Sequence, residues 1–212
     1  MTIYPIPAGP IPTNAYLLTA PDRGEALLID APDRIWADIE PILRRDHCRL
    51  TELWITHGHW DHTQGGAEVV RATQAKVRAH PDGRVLIENP DVMKSFAGQQ
   101  FKLEPIKVDH WLVDNAPLVG LGVPVSVRNV PGHCPGSVLF YFANLGAAFV
   151  GDALFNGSIG RTDLPGGSLA QLEKSIRTQI YTLPDATIVY SGHGPETTVG
   201  AEKTGNPYVR PL

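Results

Sequence analysis

The chain has 212 residues, 42% of them apolar and 19% charged, enough for a packed core and too apolar for disorder. The formal charge is −4 and no Lys/Arg run occurs, which excludes the basic stripe of a nucleic-acid-binding protein. No apolar stretch reaches the about 18 residues of a membrane span, and the start Met1-Thr-Ile-Tyr-Pro-Ile-Pro7 lacks the pattern of a signal peptide, so a cytoplasmic setting is expected.

Ile11 to Ala20 and Glu25 to Asp30 are short apolar runs bounded by Pro, Asp and Gly, and they predict an N-terminal β-hairpin. Asp33 is the expected cap of a helix over Arg34 to Asp46, where Ile35, Trp36, Ile39, Ile42 and Leu43 recur at helical spacing. Leu50 to Thr56 reads as a strand that runs into a histidine cluster. A short helix over Gly66 to Thr73 and a strand over Lys76 to Ala79 follow. Residues 81–107 are weakly patterned, and 108–130 read as strands and turns. Ser137 to Phe142 and Ala147 to Val150 predict a second hairpin around Asn144-Leu-Gly146. Leu169 to Tyr181 predicts a helix capped by Ser168, with Leu172, Ile176 and Ile180 on one face. Thr187 to Tyr190 is a last strand, and a tail helix starts near Thr197. Strands and helices thus come in two batches. That pattern predicts an α/β (α+β) chain of one domain, residues 1–212, with two sheets packed together and helices outside, a four-layer αββα sandwich.

The chemistry is concentrated in His57-x-His59-x-Asp61-His62, just after an apolar strand. In an extended exit His57 and His59 project to one side, because alternate residues share a face. Asp61 and His62 follow a bend, so one segment can furnish ligands to two adjacent metal ions. Imidazole nitrogen with carboxylate oxygen suits zinc, and also iron or manganese. Three further candidates share one grammar of strand, Gly, ligand. They are His133 in Pro131-Gly-His133, Asp152 in Val150-Gly-Asp152 and His193 in Ser191-Gly-His193-Gly. His47, His80 and His110 lack that setting and are expected to be structural or exposed. The two cysteines, Cys48 and Cys134, are too few for a disulfide framework. Cys134, beside His133, is expected to pack rather than react.

These motifs resemble the metallo-β-lactamase fold superfamily, over nearly the whole chain. The segment Gly151-Asp-Ala-Leu-Phe-Asn-Gly-Ser-Ile-Gly-Arg-Thr-Asp-Leu-Pro-Gly-Gly167 is similar to the glyoxalase II-like branch, which holds short bacterial hydroxyacylglutathione hydrolase-like proteins and related persulfide dioxygenases. Gly192-His-Gly-Pro195, Thr197-Thr198 and Asn206-Pro207 fit the same branch. The resemblance implies an αββα sandwich and two divalent metal ions. His57, His59 and His133 would hold the first, Asp61, His62 and His193 the second, and Asp152 would bridge them. It implies a catalytic part for Asp61, which could orient or deprotonate the attacking water, and hydrolysis of a small-molecule thioester such as S-lactoylglutathione. The alternatives are an iron-dependent persulfide dioxygenase, using His57, His133 and Asp152, and a β-lactam or lactone hydrolase. Arg161 is a candidate anchor for a substrate carboxylate, or else a partner of Asp163. Lys203 and Arg210 are further basic candidates. The chain ends soon after Pro207, without the helical domain that grips glutathione in full-length glyoxalase II enzymes, so weaker glutathione selectivity is expected. Ser137 stands where some of those enzymes have His. Monomer and homo-oligomer both stay open.

Overall fold

A computed structural model describes residues 1–98 and 100–211. The first half builds one sheet from β1 (Thr2–Ala8), β2 (Thr13–Ala20), β3 (Glu25–Ile29), β4 (Arg49–Trp54), β5 (Lys76–Ala79) and β6 (His110–Trp111), lying side by side in that order. The first three strands are antiparallel neighbours, and β3 to β6 run parallel. Parallel neighbours need a crossover. Here the crossovers carry α1 (Ile35–Arg45), α2 (Trp60–Thr63), α3 (Gly66–Thr73), α4 (Arg84–Glu88) and α5 (Lys94–Ala97).

The second half adds β7 (Leu118–Gly120), β8 (Val123–Asn129), β9 (Val138–Phe142) and β10 (Ala147–Gly151), then the small hairpin β11 (Leu154–Phe155) and β12 (Ser158–Ile159). α6 (Leu169–Ser175), β13 (Ile188–Ser191), β14 (Thr197–Thr198) and α7 (Val199–Gly205) complete it. The second sheet has the order β14-β13-β10-β9-β8-β7.

Side-chain alternation along the strands separates three apolar layers. Ala15, Leu17, Ala26 and Leu28 pack with Ile35, Ile39 and Val69 on the helical side of the first sheet. Their neighbours Tyr16, Leu18, Leu27 and Ile29 face the other way, onto Phe140, Phe142 and Phe149 of the second sheet. Leu139, Ala148 and Val150 then meet Leu172, Ile176 and Ile180 beyond it. Both sheets are covered on both faces, so the αββα sandwich predicted from the sequence is the fold observed. Among the described residues no helix is long and apolar enough to cross a membrane.

Several local expectations need correction. β1 is not predicted by the sequence pattern, because Pro5 and Pro7 interrupt it. As an edge strand it needs few donors, and edges are where a sheet tolerates proline. The first predicted strand begins at Thr13 rather than Ile11. Asp33 does not cap α1; Arg34 precedes it in a left-handed conformation, φ 62°, with no side-chain cap bond. The predicted helix over Leu169 to Tyr181 is present in two parts, since Ile176–Ile180 continues α6 as a π-helical turn. Its Ser168 cap is made, with Oγ accepting from the Gln171 amide. Residues 81–98 fold into short 3₁₀ and α pieces, and 100–107 form no regular element.

Sheet direction explains the position of the ligands. β10 is parallel to β13, and β8 runs the same way because β9 is antiparallel to both β8 and β10. The C-terminal ends of β8, β10 and β13 therefore share an edge, and His133, Asp152 and His193 follow them. The Val138 amide donates to the Thr56 carbonyl at 2.9 Å, and the Asn14 amide to the Gly192 carbonyl at 2.7 Å. Those bonds tie the first sheet, with the His57 segment, to the same edge.

Candidate metal centre

The seven predicted ligands converge. Ligand atoms of His57, His59 and His133 form one group, those of Asp61, His62 and His193 a second, and those of His57, His62 and Asp152 a third, each within 4.8 Å. Asp152 lies between the first two. Its Oδ1 is 3.2 Å from His62 Nε2, and its Oδ2 is 3.5 Å from His193 Nε2 and 3.6 Å from His133 Nε2. His193 Nε2 also lies 3.2 Å from Asp61 Oδ2. His57 Nε2, His62 Nε2 and Asp152 Oδ1 are buried without a hydrogen-bond partner in the protein. Buried polar atoms are normally paired. Three orphaned donor atoms at the centre of a His/Asp cluster fit divalent cations, and the fit covers two ions.

A second ring of contacts fixes four of the five imidazoles, and sequence reasoning missed most of it. His62 Nδ1 sits 2.8 Å from Asp30 Oδ2, and Thr56 donates to Asp30 twice, from its amide at 2.8 Å and its hydroxyl at 2.7 Å. With its proton so used, Thr56 Oγ1 accepts from His57 Nδ1 at 3.1 Å. His133 Nδ1 donates to the Arg161 carbonyl at 2.7 Å, and His193 Nδ1 to the Pro12 carbonyl at 2.9 Å. Each bond holds a proton on Nδ1 and leaves Nε2 as the inward-facing nitrogen, the one available to a metal. His59 differs: its Nδ1 faces in, 2.8 Å from His133 Nε2. Thr13 Oγ1 donates to Asp61 Oδ2 at 3.1 Å. The sequence places Asp30 only at the end of a predicted strand. Its signal is a carboxylate closing the apolar run Leu27-Leu-Ile-Asp30, held at φ 58° where a non-glycine residue is uncommon.

Two glycines are required by contact. A Cβ at Gly192 would stand 2.1 Å from Asp152 Oδ1, and one at Gly151, φ 52°, would stand 2.6 Å from Thr56 Oγ1.

Burial and charge divide the two ligand sets. Burial drives the His57, His59 and His133 pKa values down, His59 to about 3, so that set is neutral and ready to ligate. Burial acts the same way on His62, but Asp152, Asp61 and Asp30 outweigh it and raise its pKa well above the usual imidazole value. His193 is likewise raised, to about 10, by Asp152 and Asp61 against burial. These raised values favour a proton on both imidazoles in the metal-free protein, and protons compete with a cation for the same nitrogens. Loading the second set is therefore expected to release protons and to tighten as pH rises, whereas the first set loads with little release. Calorimetric titration in two buffers of different ionisation enthalpy measures this. Equal, near-zero release at both sites contradicts it.

The centre opens into a cavity of about 490 Å³. Arg161 lines it, but its Nε and Nη2 each lie 2.7 Å from a different oxygen of Asp163. Lys203 does not: on α7 it pairs with Asp185, outside the residues lining the cavity, so the structure does not bring this predicted substrate residue to the site. Arg210 instead donates to the Thr204 carbonyl. Cys134 is fully buried and its thiol is pushed up to about 12 by burial, as packing predicts. Ser137 donates to the Cys134 carbonyl. His80 is held by Asn129 and the Asp82 amide, while His47 and His110 are exposed.

Comparison with known proteins agrees with this geometry. The model of the "Metallo-beta-lactamase superfamily" matches residues 8–193. The chain belongs to that superfamily of metallo-hydrolases. It is 32% identical to hydroxyacylglutathione hydrolase GloC of Haemophilus influenzae, over 99% of this chain and 98% of the relative. Among solved structures it is similar to BLEG-1 B3 metallo-beta-lactamase, with TM-score 0.91, 37% identity and 98% and 99% of the two chains covered. TTHA1623 in a di-iron-bound form gives TM-score 0.86 and 33% identity over 97% and 100%. ETHE1 from Myxococcus xanthus gives 0.82 and 26% over 99% and 84%.

Proposed function

We propose that this protein is a thioesterase that cleaves a small acyl thioester, of the S-lactoylglutathione kind, at a two-metal centre. The observation that carries the reading is the meeting of two complete His/Asp ligand sets at Asp152, beside a cavity large enough for a small molecule. Full-length similarity to a hydroxyacylglutathione hydrolase supports the choice of thioester. Bound divalent cations, zinc with iron or manganese as alternatives, supply a water of lowered pKa and positive charge for the carbonyl oxygen and departing thiolate. The chain's own residues do the rest. His57, His59 and His133 would hold one ion and Asp61, His62 and His193 the other, with Asp152 placed between the two sets. Thr13 fixes Asp61 at Oδ2, so Asp61 is held where it can orient the attacking water and take its proton. Asp30 and Thr56 keep His62 and His57 in the ligating tautomer.

The structural likeness to ETHE1 supports a second reading, a persulfide dioxygenase with one iron on His57, His133 and Asp152. The likeness to BLEG-1 supports a side activity on β-lactams. One metal-loaded sample assayed on acyl thioesters, on glutathione persulfide with oxygen uptake recorded, and on a β-lactam separates them. Thioester cleavage at the highest kcat/KM is expected. Oxygen uptake on the persulfide with no thioester turnover overturns the proposal.

A further inference from the structure

We infer that the cavity beside the metal centre receives an uncharged, apolar arm of the substrate, and that Asp163 withholds Arg161 from anion binding. This rests on the thioesterase reading and changes it in one respect, the thiol carrier, where an uncharged arm is favoured over glutathione. The wall comes from separate parts of the chain: Ile11 before β2, Trp60 on α2, Met93 and Phe96 from the 81–107 segment, and Phe155 and Ile159 from the β11–β12 hairpin. Trp60 and Met93 belong to a small apolar cluster of their own with Ala97 and Leu103, and Trp60 stacks on Phe101 at 5.2 Å. The weakly patterned segment thus folds around this cluster and contributes one side of the cavity.

Two residues of the wall are left facing water, Ile11 at 47% and Phe96 at 46% exposure. Apolar surface exposed in a concavity next to a reactive centre is surface that a ligand covers, and the gain scales with the apolar area removed from water. Charge gives the same answer independently. Among the described lining residues outside the ligand sets, Arg161 is the sole Lys, Arg, Asp or Glu. Both of its engaged nitrogens face Asp163, in a two-pronged pair. A glutathione arm brings two carboxylates and one ammonium. One guanidinium already paired with a neighbouring carboxylate is a poor anchor for two more, and an incoming anion has to compete with Asp163 for it. An alkyl or aryl arm meets neither obstacle.

The test uses metal-loaded protein and four thioesters, acetyl and hexanoyl groups each on glutathione and on N-acetylcysteamine. The hexanoyl ester of N-acetylcysteamine is expected to exceed acetylglutathione in kcat/KM by about tenfold or more. Phe96→Ser is expected to lower the hexanoyl-to-acetyl ratio about fivefold. Asp163→Asn is expected to raise the glutathione-to-cysteamine ratio several-fold by releasing Arg161. A second measurement needs no turnover: titration with two thioethers, N-acetyl-S-hexylcysteamine and S-hexylglutathione, which cannot be hydrolysed. The uncharged thioether is expected to bind more tightly, and Phe96→Ser to weaken it. If no thioester is cleaved, the thioesterase reading fails, while the thioether comparison still decides the cavity. Tighter binding of S-hexylglutathione than of N-acetyl-S-hexylcysteamine, or a higher kcat/KM for hexanoylglutathione than for the hexanoyl ester of N-acetylcysteamine, overturns the inference alone.

Discussion

Asp152→Ala is expected to abolish hydrolysis, by about three orders of magnitude in kcat/KM, and to lower the metal content below two ions per chain. Asp152 is buried, and its Oδ1 has no hydrogen-bond partner although it lies 3.2 Å from His62 Nε2. Its other oxygen approaches His133 on one side and His193 on the other. Among the described residues no other carboxylate lies within 4 Å of histidines from both ligand sets. Removing it would take away the carboxylate placed between the two ligand sets and the negative charge that would offset bound cations. Asp152→Asn keeps the volume without the charge and is expected to fail nearly as badly. Asp61→Ala is expected to cost activity and second-site metal, with the first set still able to bind. Elemental analysis beside a thioester assay reads both quantities. A variant at Asp152 that retained full metal and full rate would sink the two-metal assignment.

Asp30→Ala is expected to have the largest effect on stability. Asp30 and His62 are both almost completely buried. The carboxylate takes three hydrogen bonds, two from Thr56 and one from His62 Nδ1. Truncation strands all three donors in the interior. Breaking one side of a buried charged pair costs about 3–5 kcal/mol, which denaturant unfolding of the metal-free protein measures. It also frees His62 to adopt the wrong tautomer, and loss of such an outer partner lowers metal affinity about 10- to 100-fold. Asp30→Asn is expected to recover part of the stability, because an amide oxygen still accepts from Thr56. Unchanged unfolding and unchanged metal affinity in Asp30→Ala contradict the role given to it.

What the sequence reveals about this site follows from how each residue is encoded. His57, His59, Asp61 and His62 sit within six consecutive positions, and histidine is scarce enough for such a cluster to stand out. His133, Asp152 and His193 are legible because each ends an apolar strand beside a glycine. Gly192 shows why that grammar exists: no side chain fits between it and Asp152. Asp30, Thr56 and Thr13 carry no such signal. Asp and Thr are common at strand ends, and their roles arise only when β2, β3 and β4 are placed side by side. The four layers are legible because strands and helices come in two batches; the sorting of side chains along β2, β3, β9 and β10 into separate cores emerges only in the structure. β1 is hidden by its prolines, which only an edge position accommodates. The 81–107 segment is hidden because tertiary contact with Trp60 orders it rather than its own periodicity. Lys203 shows the opposite failure: a basic residue near the expected site by sequence, it is carried by α7 to Asp185 instead.

The most direct measurement is the metal content of the protein purified without added metal, taken together with thioester turnover on the same sample. A two-metal hydrolase gives about two divalent ions per chain and loses turnover in step with their removal by chelation. One iron per chain, with oxygen uptake on glutathione persulfide and no thioester cleavage, contradicts it.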